Sequence, residues 1–153
     1  MNKNMNMKKI LKWLPLLLVT VVFGAMAAAC DDDDKVISEN ELPASAKSFV
    51  STCFASAKIA TAYKDGNEYE VMLSNGVRID FNRSGEWTDV DAPLNEALPT
   101  GFYPKAIDAY LLANMNGAGI NEISKERYGY DVELVTGIDL RFDSEGRFLR
   151  YDD

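Results

Sequence analysis

The chain contains no histidine, and that single absence removes several chemistries. A Ser-His-Asp triad, a Cys-His nucleophile pair and any His-ligated metal site are excluded. Cysteine is nearly absent, with only Cys30 and Cys53 in 153 residues. Positive charge is scarce: 16 Lys and Arg stand against 24 Asp and Glu, for a net charge of −8. An acidic chain repels phosphate, so nucleic acid is not an expected partner. No phosphate loop or dinucleotide glycine motif is present. Asp143-Ser144-Glu145-Gly146 lacks the alternating ligands of a calcium loop and reads as a hairpin turn. No metal site and no cofactor is expected. What remains is ordinary for a folded domain: 47% of residues are hydrophobic, enough for a real core.

The first thirty residues read as an address. Lys3, Lys8, Lys9 and Lys12 form a positive start. An apolar run from Leu14 to Ala29 follows and ends in three alanines directly before Cys30. This is a secretory signal pattern, and the run is short for a membrane span of about 20 residues. The small residues followed by cysteine resemble a bacterial lipobox, with Ala27 where leucine is more usual. The resemblance implies a signal peptide over 1–29 and a lipidated Cys30 as the mature N-terminus. Asp31, Asp32, Asp33 and Asp34 follow, within an acidic tether assigned to 30–41. An acidic run at this place resembles a surface-export signal of some Gram-negative lipoproteins. The expected location is therefore the outer membrane, lipid-anchored and facing the cell surface, with a periplasm-facing orientation as the alternative. Removing residues 1–29 removes four lysines and no acids, which takes the net charge from −8 to −12. A cationic partner suits that balance. Lipidation of Cys30 leaves Cys53 without an intramolecular disulfide partner, and its place on an apolar stripe reads as core.

The rest is a repeat. Leu42-Pro43 and Leu98-Pro99 open two segments, about 42–91 and 98–153. Tyr69-Glu-Val-Met-Leu returns as Tyr130-Asp-Val-Glu-Leu, 61 residues on. At the same offset Gly76, Phe81, Gly85, Trp87 and Asp91 match Gly137, Phe142, Gly146, Phe148 and Asp152. Apolar spacing predicts helices over Pro43–Phe54 and Pro104–Met115. Four short strands follow each helix, joined by Gly, Asn, Asp and Ser turns, so antiparallel hairpins are expected.

Register follows from the turns. A three-residue loop at Ser74-Asn75-Gly76 pairs Leu73 with Val77, Val71 with Ile79 and Tyr69 with Phe81. Glycine supplies the left-handed residue that such loops need in last position. The loops ending at Gly85, Gly137 and Gly146 repeat the device, setting Trp87 against Phe81 and Phe148 against Phe142. The fold class expected is α+β: two tandem helix-plus-four-strand meanders forming one sheet, helices on one face. The other face carries Glu70, Met72, Arg78, Asp80, Asp131, Glu133, Asp139 and Arg141, and is open and polar.

The Leu-Pro starts, Tyr-x-Val-x-Leu, the turn glycines, Phe-x-x-x-Gly-x-(Trp/Phe) and the closing Arg150-Tyr151-Asp152-Asp153 resemble the PepSY-like family. Its members are also described as beta-lactamase-inhibitor-like. The resemblance covers residues 42–153 and implies a secreted or lipid-anchored α+β domain. It supplies no catalytic residue.

The functional expectation is a non-enzymatic, lipid-anchored envelope or surface binding module, with an inhibitor-like role as one form. Its partners are the membrane, through lipid, and an unidentified protein or peptide. The open face is the candidate binding surface, with Met72, Leu149 and Tyr151 adding apolar contact. Tyr63, Tyr103 and Tyr128 are further recognition candidates. The alternative is an enzyme with an unrecognised carboxylate site.

Overall fold

The computed structural model describes residues 35–152. Cys30 and Asp31–Asp34 lie outside the described residues. Nine antiparallel strands form one sheet in sequence order. They are β1 (Lys35–Ile37), β2 (Ile59–Asp65), β3 (Glu68–Leu73), β4 (Arg78–Phe81), β5 (Trp87–Asp91), β6 (Ile120–Glu126), β7 (Gly129–Leu134), β8 (Asp139–Asp143) and β9 (Phe148–Asp152). Two helices precede the meanders: α1 (Ala44–Cys53) before β2 and α2 (Lys105–Asn114) before β6. Pro43 and Pro104 sit at the two N-caps, where a missing N–H does no harm.

The expected architecture holds, with one strand more than expected. The difference falls in residues 35–41, within the expected tether. They form β1 and a 3₁₀ turn (Glu39–Glu41), and Ile37 is buried. Three residues are too few to show periodicity, so this strand leaves no pattern in the sequence.

Leu73 donates its N–H to Val77 O at 2.8 Å, and Val71 faces Ile79, Tyr69 faces Phe81 and Phe81 faces Trp87. Phe142 faces Phe148 in the second half. The loop glycines 76, 85, 137 and 146 all have positive φ, between 75° and 85°. Two of them do a second job. A Cβ on Gly85 would lie 2.6 Å from Pro43 Cβ, and one on Gly146 would lie 2.9 Å from Pro104 Cβ. Each turn therefore presses against the start of its own half's helix. Ser45 Oγ adds a 2.6 Å bond to Ser84 O in the first half.

Both helices cover one sheet face. Phe49 of α1 meets Phe81 edge-on at 5.9 Å, and Tyr110 of α2 meets Phe142 edge-on at 5.5 Å. Phe102, from the segment linking the halves, fits between Phe49 and Trp87 at 5.5 and 5.4 Å. Val71, Ile79, Phe81, Val90, Ile123, Leu140 and Phe142 are fully buried on that face. Cys53 is half-buried against this core, and burial pushes its thiol pKa up, which suits a packing role. β5 pairs with β6, which makes the two halves one sheet.

Four bulges shape the ladder. Ala60 in β2, Thr88 in β5, Asn121 in β6 and Leu149 in β9 are each an extra residue against the neighbouring strand. They repeat at the same 61-residue offset as the sequence motifs. Each bulge reverses which face the following residues take. Strict alternation from Trp87 would have turned Asp89 and Asp91 into the core. The bulge at Thr88 sends them to the open face and turns Val90 inward, where it is fully buried.

Candidate functional site

The helix-free face is organised by the register into two adjacent rows. The first runs Glu70, Asp80, Asp89, Ser124, Asp131, Arg141, Arg150 across β3 to β9. The second runs Met72, Arg78, Asp91, Glu122, Glu133, Asp139, Asp152. All eight residues of the expected face lie in these rows. Glu70 stands directly opposite Asp80, and Glu133 opposite Asp139. Like charges so placed repel.

Arg78 answers the repulsion in the first half. Its guanidinium lies 3.3 Å from Asp91, 3.7 Å from Asp89, 3.8 Å from Asp80 and 4.0 Å from Glu70. Burial works against its charge, but Asp80, Asp89, Asp91 and Glu70 together raise its pKa. Arg141 gathers a different pair in the second half, Asp152 at 2.5 Å and Asp131 at 3.3 Å. Burial again opposes the charge, and the Asp152 hydrogen bond leads the groups that raise it. The Tyr128 ring packs 5.2 Å from this guanidinium, and its hydroxyl donates to Asp131. Burial, then that bond, pushes the phenol pKa well up.

Asp89, Asp91, Glu122, Arg150 and Asp152 are members of the face that alternation alone does not reveal. The signal was available: unbulged alternation would have buried two aspartates in β5. Tyr151 needs the opposite correction. The bulge at Leu149 turns it to the helix side, opposite Leu140 and beside Phe148 at 5.3 Å. It adds no contact to the open face, and Leu149 itself is the bulge residue. Met72 does lie there, opposite Arg78. Tyr63 joins the first row, opposite Glu70. Tyr103 is buried, with its hydroxyl donating to Asp108 at 2.8 Å.

Asp143-Ser144-Glu145-Gly146 is a turn. Asp143 Oδ1 accepts N–H bonds from Glu145 at 3.0 Å and Arg147 at 2.8 Å. Those bonds hold its pKa below the usual carboxylate range. Among the described residues, no group of three or more Asp, Glu or Cys is gathered as a metal site. Two small cavities of about 110 and 200 Å³ lie by Tyr103–Asp108 and by Asn121–Glu133. Both fall below the roughly 300–1,000 Å³ typical of ligand pockets. No helix of the described residues is long and apolar enough to cross a membrane.

Asn121 is the buried polar residue that periodicity does not announce. Its bulge position aims the side-chain amide at the linker, where Nδ2 donates to Glu96 O at 2.8 Å and Pro93 O at 2.9 Å, with Ala92 O at 3.3 Å. It clamps the segment joining the halves.

Comparison with known proteins agrees with this geometry. The model of the beta-lactamase-inhibitor-like, PepSY-like family matches residues 30–79 and 67–150. A periplasmic protein of unknown function from Bacteroides vulgatus is 35% identical, with a TM-score of 0.72 over 79% of this chain and all of that one. A second B. vulgatus protein, of the DUF2874 family, is 31% identical, with a TM-score of 0.72 over 81% of this chain and all of its own. A candidate calcium-regulated periplasmic protein from Bacteroides thetaiotaomicron is 28% identical, with a TM-score of 0.72 over 78% and 97% of the two chains. No curated protein matches.

Proposed function

The chain belongs to the PepSY-like, beta-lactamase-inhibitor-like family, and from that premise we propose that it is a non-enzymatic binding module of the cell envelope whose open sheet face takes a cationic protein or peptide. Lipid on Cys30 holds it to the outer membrane, and Asp31–Asp34 direct it to the cell surface. The observation that carries the reading is the pair of rows, in which acidic side chains outnumber the arginines Arg78, Arg141 and Arg150. The relatives' description as periplasmic proteins supports an envelope location. The face runs across seven neighbouring strands, β3 to β9, an extent that suits a polypeptide better than a small substrate.

Three experiments test the parts separately. Cys30→Ser abolishes metabolic fatty-acid labelling; labelling that persists removes the anchor. Replacing Asp31–Asp34 by alanine lowers accessibility to external protease while lipidation continues. A pull-down from envelope extracts with residues 31–153, one compact unit, recovers a basic partner that elutes as salt rises. Glu70→Lys with Glu133→Lys weakens that capture without unfolding the domain. Normal capture by the double variant moves the site to the loops or the helical face.

A second reading rests on the B. thetaiotaomicron relative described as a candidate calcium-regulated protein. Calcium takes six to eight oxygen ligands. Asp91, Glu122, Glu133, Asp139 and Asp152 form a carboxylate row whose side chains would have to turn toward one another to supply them. Calorimetric titration with Ca²⁺ against Mg²⁺ decides: a calcium-selective heat lost in Glu133→Gln supports this reading, and no heat removes it.

A further inference from the structure

The two edges of the sheet are unlike. β1 is three residues long and sets Lys35 opposite Lys64, a short charged edge that discourages pairing. β9 is five residues long and is the terminal strand of the described sheet, so one row of its backbone N–H and C=O groups points away from β8. Its charges are also incompletely answered. Arg150 stands opposite Arg141, a like-charge pair. Its contact with Asp152, on its own strand, is 3.9 Å long, and Asp152 is engaged by Arg141 at 2.5 Å. Arg150 is 61% exposed. On the other face Tyr151 is half-exposed beside Phe148.

We propose that β9 pairs antiparallel with β9 of a second copy of this chain, about a two-fold axis at Tyr151. This register sets Arg150 opposite Asp152 of the second copy, and the reverse, on the open face. It sets the two Tyr151 rings together on the helix side, each backed by its own Phe148. The adjacent registers fail on charge: an axis at Arg150 opposes the two arginines, and an axis at Asp152 opposes the two aspartates. Only the axis at Tyr151 joins unlike charges. The contact is isologous and closes as a dimer, whereas β1 pairing with β9 would run on without closing. The ladder is short, so the dimer is weak in dilute solution. The inference rests on the sheet edge and does not depend on what the open face binds.

Cysteine scanning of the full chain in intact cells tests it. Directly opposed residues of an antiparallel pair have Cα atoms about 4.5–5.5 Å apart, within disulfide reach. In the proposed register the two copies of residue 150 lie beyond the roughly 7 Å limit, and those of residue 149 further still. Under mild oxidation by diamide, Tyr151→Cys gives a dimer on a non-reducing gel several-fold above Leu149→Cys and Arg150→Cys. The parent chain, with Cys30 and Cys53, sets the blank. In the Tyr151→Cys chain, Arg150→Asp cuts the yield several-fold and Asp152→Arg added to it restores the yield. That exchange puts an acid opposite Arg141 and a base opposite Asp139, so the fold is retained. Sedimentation of the otherwise unchanged chain provides a second readout, its dimer fraction falling in Arg150→Asp and returning with the exchange. Equal yields at 149, 150 and 151, or yield and dimer fraction indifferent to the exchange, overturn the proposal.

Discussion

The two halves of this protein share a backbone plan and differ in where they place charge. Helix, turns and bulges recur 61 residues apart, down to Ala60 with Asn121 and Thr88 with Leu149. The open face recurs only in part: Glu70 with Asp131 and Asp91 with Asp152 keep their acids, but the arginines move. Arg78 and Asp80 of the first half correspond to Asp139 and Arg141 of the second, so arginine and aspartate have exchanged rows. Arg78 meets four carboxylates, whereas Arg141 meets two, with a tyrosine beside it and a second arginine opposite. The frame depends on buried apolar residues and positive-φ turns, which admit few substitutes. The face depends only on each acidic neighbourhood holding a cation, and several placements satisfy that.

The sharpest way to break the comparison is at the shared core. Phe81→Ala and Phe142→Ala each remove a fully buried ring in an equivalent place, at a cost of about 3–5 kcal/mol. Each lowers the midpoint of a single denaturant transition, because β5 and β6 make the halves one sheet. Two separate transitions would show that the halves fold alone.

Asn121 and Ala60 occupy equivalent bulges but do different work. Asn121→Ala removes the side-chain donor from Glu96 O and Pro93 O, Pro93 O keeping Glu96 N–H, and costs about 1–3 kcal/mol in denaturant unfolding. Ala60 is exposed, and Ala60→Ser leaves the midpoint where it was.

The arginines give a smaller contrast. Arg78→Ala leaves four carboxylates clustered and costs about 1 kcal/mol near neutral pH. Arg141→Ala costs less, because it also relieves the repulsion from Arg150. Thermal melts of both variants measure the difference, and equal losses would discount the fourfold contact of Arg78.

The smallest effect separates two turns. Asn82 and Asp143 cap equivalent loops, Asn82 Oδ1 accepting from Ser84 N at 2.9 Å and Glu86 N at 3.1 Å. The Asp143 carboxylate has a depressed folded pKa, so its stabilisation is present above the unfolded value of about 3.9 and is lost as pH falls through the lower folded value. Amide protection, exchange measured against the intrinsic rate at each pH, therefore falls at acid pH more at the second-half turn than at the first-half turn. Asp143→Asn removes that extra acid sensitivity.

Much of this frame was legible in the sequence because period, turn length and glycine position agreed. The pairing of Val71 with Ile79 follows from one three-residue loop and one glycine. The bulges left one trace, the two aspartates that strict alternation would bury in β5, and were otherwise hard to read because the run on either side of the extra residue is too short to show the change of phase. Their consequence is large: they move Asp89, Asp91 and Asp152 onto the open face and Tyr151 off it. β1 escaped for lack of length, and Asn121 because its donor role exists only where the linker folds back over β6.

Nuclear magnetic resonance mapping tests the central claim about the open face most directly. A lysine-rich peptide is titrated into isotope-labelled residues 31–153, and amide shifts are followed at low and high salt. The account predicts shifts concentrated along Glu70, Asp80, Asp131 and Glu133 that shrink as salt rises. Shifts confined to the helix side, or unaffected by salt, would contradict it.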